Sequence, residues 1–80
     1  MEQESIVMKK LHYPIAPEYV FDNLDSLRQL RRTMKWGIKH VARLAKMNEE
    51  SYNQIEQGYI FPSREIYNEL AKVFDLEEWE

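Results

Sequence analysis

No cysteine occurs in the 80 residues, which excludes a disulfide framework and a thiolate metal site and makes a reducing cytoplasm the expected compartment. Glycine occurs only at Gly37 and Gly58, too sparsely for a loop that cradles a phosphate. Apolar runs stop at three or four residues, as at Ile6 to Met8, and no basic stretch leads a longer one, so no membrane span or export signal is expected. His12 and His40 stand far apart without neighbours at metal-ligand spacing, so no zinc site is expected. The carboxylates are scattered, with no acid and base marked as flanking a pocket. No enzyme activity, cofactor or metal is therefore expected. Internal repeats and low-complexity tracts are also absent.

What is present suffices for one small core. Apolar residues make up 44% of the chain, including Trp36, Trp79, five tyrosines and three phenylalanines, enough for a single domain that folds alone or as a dimer. The net charge of -3 and the pI near 5.4 argue mildly against a nucleic-acid partner, because phosphate neutralisation dominates that affinity. The average conceals a division by segment. Between Ser26 and Asn48 lie Arg28, Arg31, Arg32, Lys35, Lys39, Arg43 and Lys46 with no acid among them, whereas the acids crowd into Glu49 to Glu80.

Residues 1–25 read as an N-terminal arm, because Pro14 and Pro17 interrupt any long helix and bias His12 to Ala16 towards extended structure. Pro17 could instead open a one- or two-turn helix through Phe21, with Glu18 at its positive end. From Ser26 the pattern turns helical and the main domain, residues 26–80, begins. Leu27, Leu30 and Met34 form one stripe, with Asp25 or Ser26 as the N-cap candidate. Trp36-Gly37 breaks this first helix. Ile38, Val41, Ala42 and Ala45 then fall at i, i+3, i+4 and i+7, the spacing of a short amphipathic helix closing near Lys46. Asn48 caps a third helix that buries Tyr52 and Ile55 and stops at Gly58. After a connector, Ser63 caps a fourth helix with Ile66, Tyr67, Leu70, Ala71 and Phe74 on its stripe, and a final turn can form around Leu76 to Trp79.

Two short helices joined by Lys46 to Asn48 have the local geometry of a helix-turn-helix, whose second helix lies in the DNA major groove. From Leu27 to Leu76 the chain resembles the Cro/repressor-type (XRE) helix-turn-helix family. Its register holds without a gap through Leu27, Leu30 and Arg31, Trp36, Val41 and Ala42, and Ile55-Glu56-Gln57-Gly58, Pro62-Ser63 and Leu70-Ala71. The resemblance implies an all-α, four- to five-helix, lambda-repressor-like DNA-binding domain with an N-terminal arm. It also implies a structural pair of Arg31 with Glu56 that holds two helices together. Two departures stand out. Ile38 occupies a position where the family usually carries a phosphate-binding glutamine. Lys46 replaces a turn glycine, which would cost about 1 kcal/mol if the turn is left-handed.

The resemblance places base-reading residues at Glu49 and Glu50, and the same helix offers Ser51, Asn53 and Gln54. Carboxylates repel phosphates but can accept from cytosine N4, and they also favour a helix N-terminus; asparagine and glutamine suit adenine. Lys35, Lys39, Arg43 and Lys46 are the candidates for phosphate contacts. The resulting expectation is a bacterial, phage or mobile-element transcriptional regulator that binds double-stranded operator DNA as a homodimer. The alternative is a protein-interaction module on the same fold, an antirepressor, phage inhibitor or antitoxin-like partner, favoured by net acidity, Ile38 and the Glu49-Glu50 pair. Leu44 lies off the buried stripe. With Trp79 and the apolar arm residues Ile6, Val7, Met8, Leu11, Tyr13 and Ile15, it leads to the expectation that the arm packs across the helices or makes a dimer contact.

Overall fold

The computed structural model describes residues 16–80, which form five helices and, among the described residues, no strand. Helix α1 spans Glu18–Asp25, α2 Leu27–Thr33, α3 Ile38–Leu44, α4 Glu49–Glu56 and α5 Arg64–Phe74. The expectations placed on His12 to Ile15, and the packing of the arm, lie outside the described residues.

Pro17 stands one residue ahead of α1 with ψ of 155°, and its carbonyl accepts the Val20 amide at 3.0 Å. The helix expected to stop near Phe21 continues to Asp25, with Val20 fully buried in its first half and Leu24 packed against both core clusters in its last turn. Val20 packs in a cluster with Tyr67, Ala71 and Trp79, so the packed body already includes α1, ahead of residue 26. Ser26 does not cap α2. Its backbone is helical (φ -95°, ψ -2°), its hydroxyl donates back to the Asp22 carbonyl at 3.1 Å, and its amide donates to Asn23 at 3.1 Å. A residue entered from a preceding helix cannot take the extended conformation that capping needs.

The later starts follow the sequence. Gly37 is extended ahead of α3, Asn48 Oδ1 accepts the Ser51 amide at 2.7 Å, and Ser63 Oγ accepts the Ile66 amide at 3.2 Å. The ends of α2, α3, α4 and α5 share one device. A left-handed residue turns the chain so that amides past the helix reach back to its last carbonyls. Lys35 (φ 61°) sits between Lys35 N–Arg32 O and Trp36 N–Arg31 O bonds of 2.9 and 3.1 Å. Lys46 (φ 61°) and Gly58 (φ 85°) repeat the pattern with Met47 N–Ala42 O at 3.0 Å and Tyr59 N–Gln54 O at 2.9 Å. Asp75 (φ 58°) closes α5. Only one of these four positions is a glycine.

The main core joins Leu27, Val41, Ala42, Ala45, Tyr52, Ile55 and Leu70, flanked by half-buried Leu24, Trp36, Ile38, Met47, Val73 and Phe74. Met34 and Ile66, both expected on buried stripes, are 49% and 36% exposed. Met34 is already the residue that ends α2, and Ile66 lies in the first turn of α5, so neither sits on the length of helix that meets the core. Leu44 is exposed, as its place off the α3 stripe requires. No helical turn forms over 76–80; these residues run as a strap. The Asn68 amide donates to the Trp79 carbonyl (2.9 Å) and accepts its N–H (2.7 Å), while the Tyr67 and Tyr19 hydroxyls donate to the Glu77 and Glu78 carbonyls.

Candidate nucleic-acid interface

α3 and α4 are short, and the connector Ala45 to Asn48 fixes their angle through the left-handed Lys46 and the Asn48 cap. The inward side of each helix is taken by Val41, Ala42 and Ala45 from the α3 segment and by Tyr52 and Ile55 from α4. Apart from Glu56, whose side chain is buried, the remaining α4 positions form its outer face. Glu49 and Glu50 are exposed; Ser51, Asn53 and Gln54 are half-buried; Gln57 is exposed just past the helix. All five base-contact candidates therefore reach the surface, on a helix anchored by apolar contacts.

Gln57, outside the residues expected from the sequence, lies beside them. Its Nε2 donates to Asn53 Oδ1 at 2.9 Å, so the two amides act together. The i, i+4 spacing of Asn53 and Gln57 was the available signal. Glu49, Glu50 and Asn53 meet Ile38 of α3 around an open depression of about 320 Å³, which makes Ile38 a neighbour of the outer face of α4 as well as a core-packing residue.

The four phosphate-contact candidates are all exposed. Lys39 and Arg43 sit one turn apart on α3, with Lys35 and Lys46 at the left-handed turns on either side of it. Among the described residues none of the four, and neither Glu49 nor Glu50, is in an ion pair with another.

Behind this surface, Arg31 and Glu56 form the expected pair in detail. Arg31 Nε and Nη2 donate to the two Glu56 oxygens at 2.7 and 2.9 Å, and Nη1 donates to the Trp36 carbonyl at 3.1 Å. The Tyr52 hydroxyl adds a 2.7 Å bond to Glu56 Oε2, and Arg28 approaches within 3.5 Å. The Glu56 side chain is 1% exposed. Burial alone would push its carboxyl up, but the bonds from Arg31 and Tyr52 and the charges of Arg31 and Arg28 outweigh that and hold it below its ordinary value. The bond to Glu56 in turn raises Arg31, and burial followed by the same carboxylate raises Tyr52. The network locks α2, the α2–α3 turn and α4 together. It is a structural pair, turned away from the outer face.

Residues 25–80 match the family model of the helix-turn-helix domain. The chain belongs to the helix-turn-helix domain family. It is similar to the HTH-type transcriptional regulator AnsR of Bacillus subtilis (strain 168), with 38% identity over 53 residues that cover 66% of this chain and 46% of that protein. The chain thus spans about half the length of that curated relative. No solved structure matches it. Within the helix-turn-helix, α3 is the first helix of the motif and α4 the second, the one that such motifs place in the major groove. No described helix is long and apolar enough to cross a membrane.

Proposed function

We propose that this protein is a sequence-specific, DNA-binding transcriptional regulator of the Cro/repressor type, acting by occupying an operator and performing no chemistry. The observation that carries the reading is the α3–α4 pair: α4 is capped and anchored from behind, while Glu49, Glu50, Ser51, Asn53, Gln54 and Gln57 form its outer face. Family membership and the printed name of the relative support it.

In this reading α4 enters the major groove. Gln54 offers donor and acceptor together, as adenine requires; Asn53, whose oxygen accepts from Gln57, offers its NH2 as a donor, and Glu49 and Glu50 only accept. Lys35, Lys39, Arg43 and Lys46 hold the phosphates on either side. The protein binds in the cytoplasm as a homodimer to a palindromic site with half-sites about 34–36 Å apart. The protein-interaction alternative is the weaker reading, because the family match and the printed name of the relative both favour a DNA-binding regulator, and the four exposed cations suit phosphates.

The test is titration of the full chain against its own upstream DNA at about 50 and about 200 mM salt. Saturable binding is expected, with an affinity that falls steeply with salt. Lys39→Ala and Arg43→Ala should each flatten the log–log slope by about one unit. Absence of binding at the lower salt would refute the proposal and return the interaction module to first place.

A further inference from the structure

Ile38 is the first residue of α3 and is half-buried. It packs against the core cluster that contains Leu27, Val41, Tyr52 and Ile55, and it also lines the open depression shared with Glu49, Glu50 and Asn53. The depression therefore has one apolar wall. Its other walls are two carboxylates, which only accept hydrogen bonds, and an amide held by Gln57 through its oxygen, which leaves the NH2 free to donate.

Major-groove edges offer few groups that fit such a surface. The only methyl among them is on C5 of thymine, and the only donors are adenine N6 and cytosine N4. A guanine edge would set O6 and N7, both acceptors, against the carboxylates. An apolar side chain cannot hold a phosphate, but it gains from covering a methyl that water would otherwise surround.

We infer that Ile38 is a specificity-determining residue that receives a thymine methyl, beside an adenine or cytosine amine taken by Glu49 or Glu50. Each half-site then contains a thymine whose methyl, rather than its hydrogen-bonding edge, is read by α3. This deepens the DNA-binding reading and rests on it. It also assigns a task to the place where the family's usual phosphate-binding glutamine is missing.

The experiment begins with selection of binding sites from a randomised duplex library by the full chain. Each thymine of the selected site is then replaced singly by uracil, which keeps the pairing and lacks only the methyl. One thymine per half-site should lose about fourfold in affinity on replacement, the worth of one buried methyl group. With Ile38→Gln, and separately Ile38→Ala, the thymine-to-uracil ratio at that position should fall to one while other positions keep theirs. The ratio is taken within a single protein preparation, so any loss of folded fraction cancels, and melting curves check that both variants fold. A selected site in which no thymine is sensitive, or a ratio that persists in both variants, overturns the inference while leaving DNA binding intact. A library that yields no selected sequence overturns the DNA-binding reading, and this inference with it.

Discussion

Removing the Glu56 carboxylate should be among the most damaging single changes to the fold. In Glu56→Ala the Arg31 guanidinium, only 13% exposed at the side chain, keeps its 3.1 Å bond to the Trp36 carbonyl but loses both bonds to Glu56, and the Tyr52 hydroxyl loses its acceptor. Breaking a buried pair from one side typically costs about 3–5 kcal/mol, because a desolvated charge is left uncompensated. Partial access of Arg31 to water places this case near the lower figure, about 3 kcal/mol. For a domain of this size each kcal/mol lowers Tm by about 4–8 °C, so the fall should be at least about 12 °C. The double variant Arg31→Met/Glu56→Leu removes both charges and should recover most of the loss. Urea denaturation followed by far-UV circular dichroism measures all three proteins. A loss below about 1 kcal/mol in Glu56→Ala, or a double variant as unstable as the single one, would refute the argument.

The same carboxyl gives a pH dependence of definite sign. Because it is held below its ordinary value of 4.5, its contribution is complete above that pH and is lost as pH falls through the depressed value, so acid melting of the wild type should be steeper there than that of Glu56→Gln. Lys46→Gly relieves a left-handed lysine (φ 61°) and should stabilise the fold by roughly 0.5–1 kcal/mol after the added freedom of the unfolded glycine, measured as Tm. Gly58→Ala should do the opposite, costing about 1 kcal/mol through φ of 85° alone, since an added Cβ would meet no atom within 4 Å. Asn68→Ala removes both bonds to the Trp79 backbone and should cost about 1–3 kcal/mol, with a red shift in tryptophan emission as the strap loosens.

How much was legible in the sequence depended on whether the deciding interaction was local. Asn48, Ser63 and Gly58 act within three or four residues of themselves, and their roles as caps and stop could be read directly. The 3.6-residue stripe located Val41, Ala42, Ala45, Tyr52 and Ile55 for the same reason. Ser26 has the right chemistry for a cap and failed because the chain before it is helical, which depended on how far α1 runs. The strap was illegible in kind. Its bonds join Tyr19 to Glu78 and Asn68 to Trp79, and nothing in the spacing of a tyrosine and a carbonyl 59 residues apart announces a contact. At the interface, the outer face of α4 followed from helical period alone. The role of Ile38 did not, because the depression it lines exists only once α3 and α4 have been set at their angle.

The net charge of -3 was the main composition argument against a nucleic-acid partner, and the placement of the acids weakens it. Glu56 is matched by Arg31 and Arg28 and contributes little field at the surface. Glu65, Glu69, Asp75, Glu77, Glu78 and Glu80 belong to α5 and the strap, elements outside the α3–α4 pair. With a screening length of about 8 Å at physiological salt, exposed charges separated by more than that from a phosphate scarcely affect it. In the proposed DNA-binding reading, a strand docked at the α3–α4 pair would meet Lys35, Lys39, Arg43 and Lys46, all exposed, against Glu49 and Glu50, a local excess of positive charge. Lys35 and Lys46 hold left-handed positions where glycine would be less strained, so their charges come at the cost of a less stable turn at each end of α3. The salt dependence of binding should accordingly follow the number of these four cations rather than the charge of the whole chain.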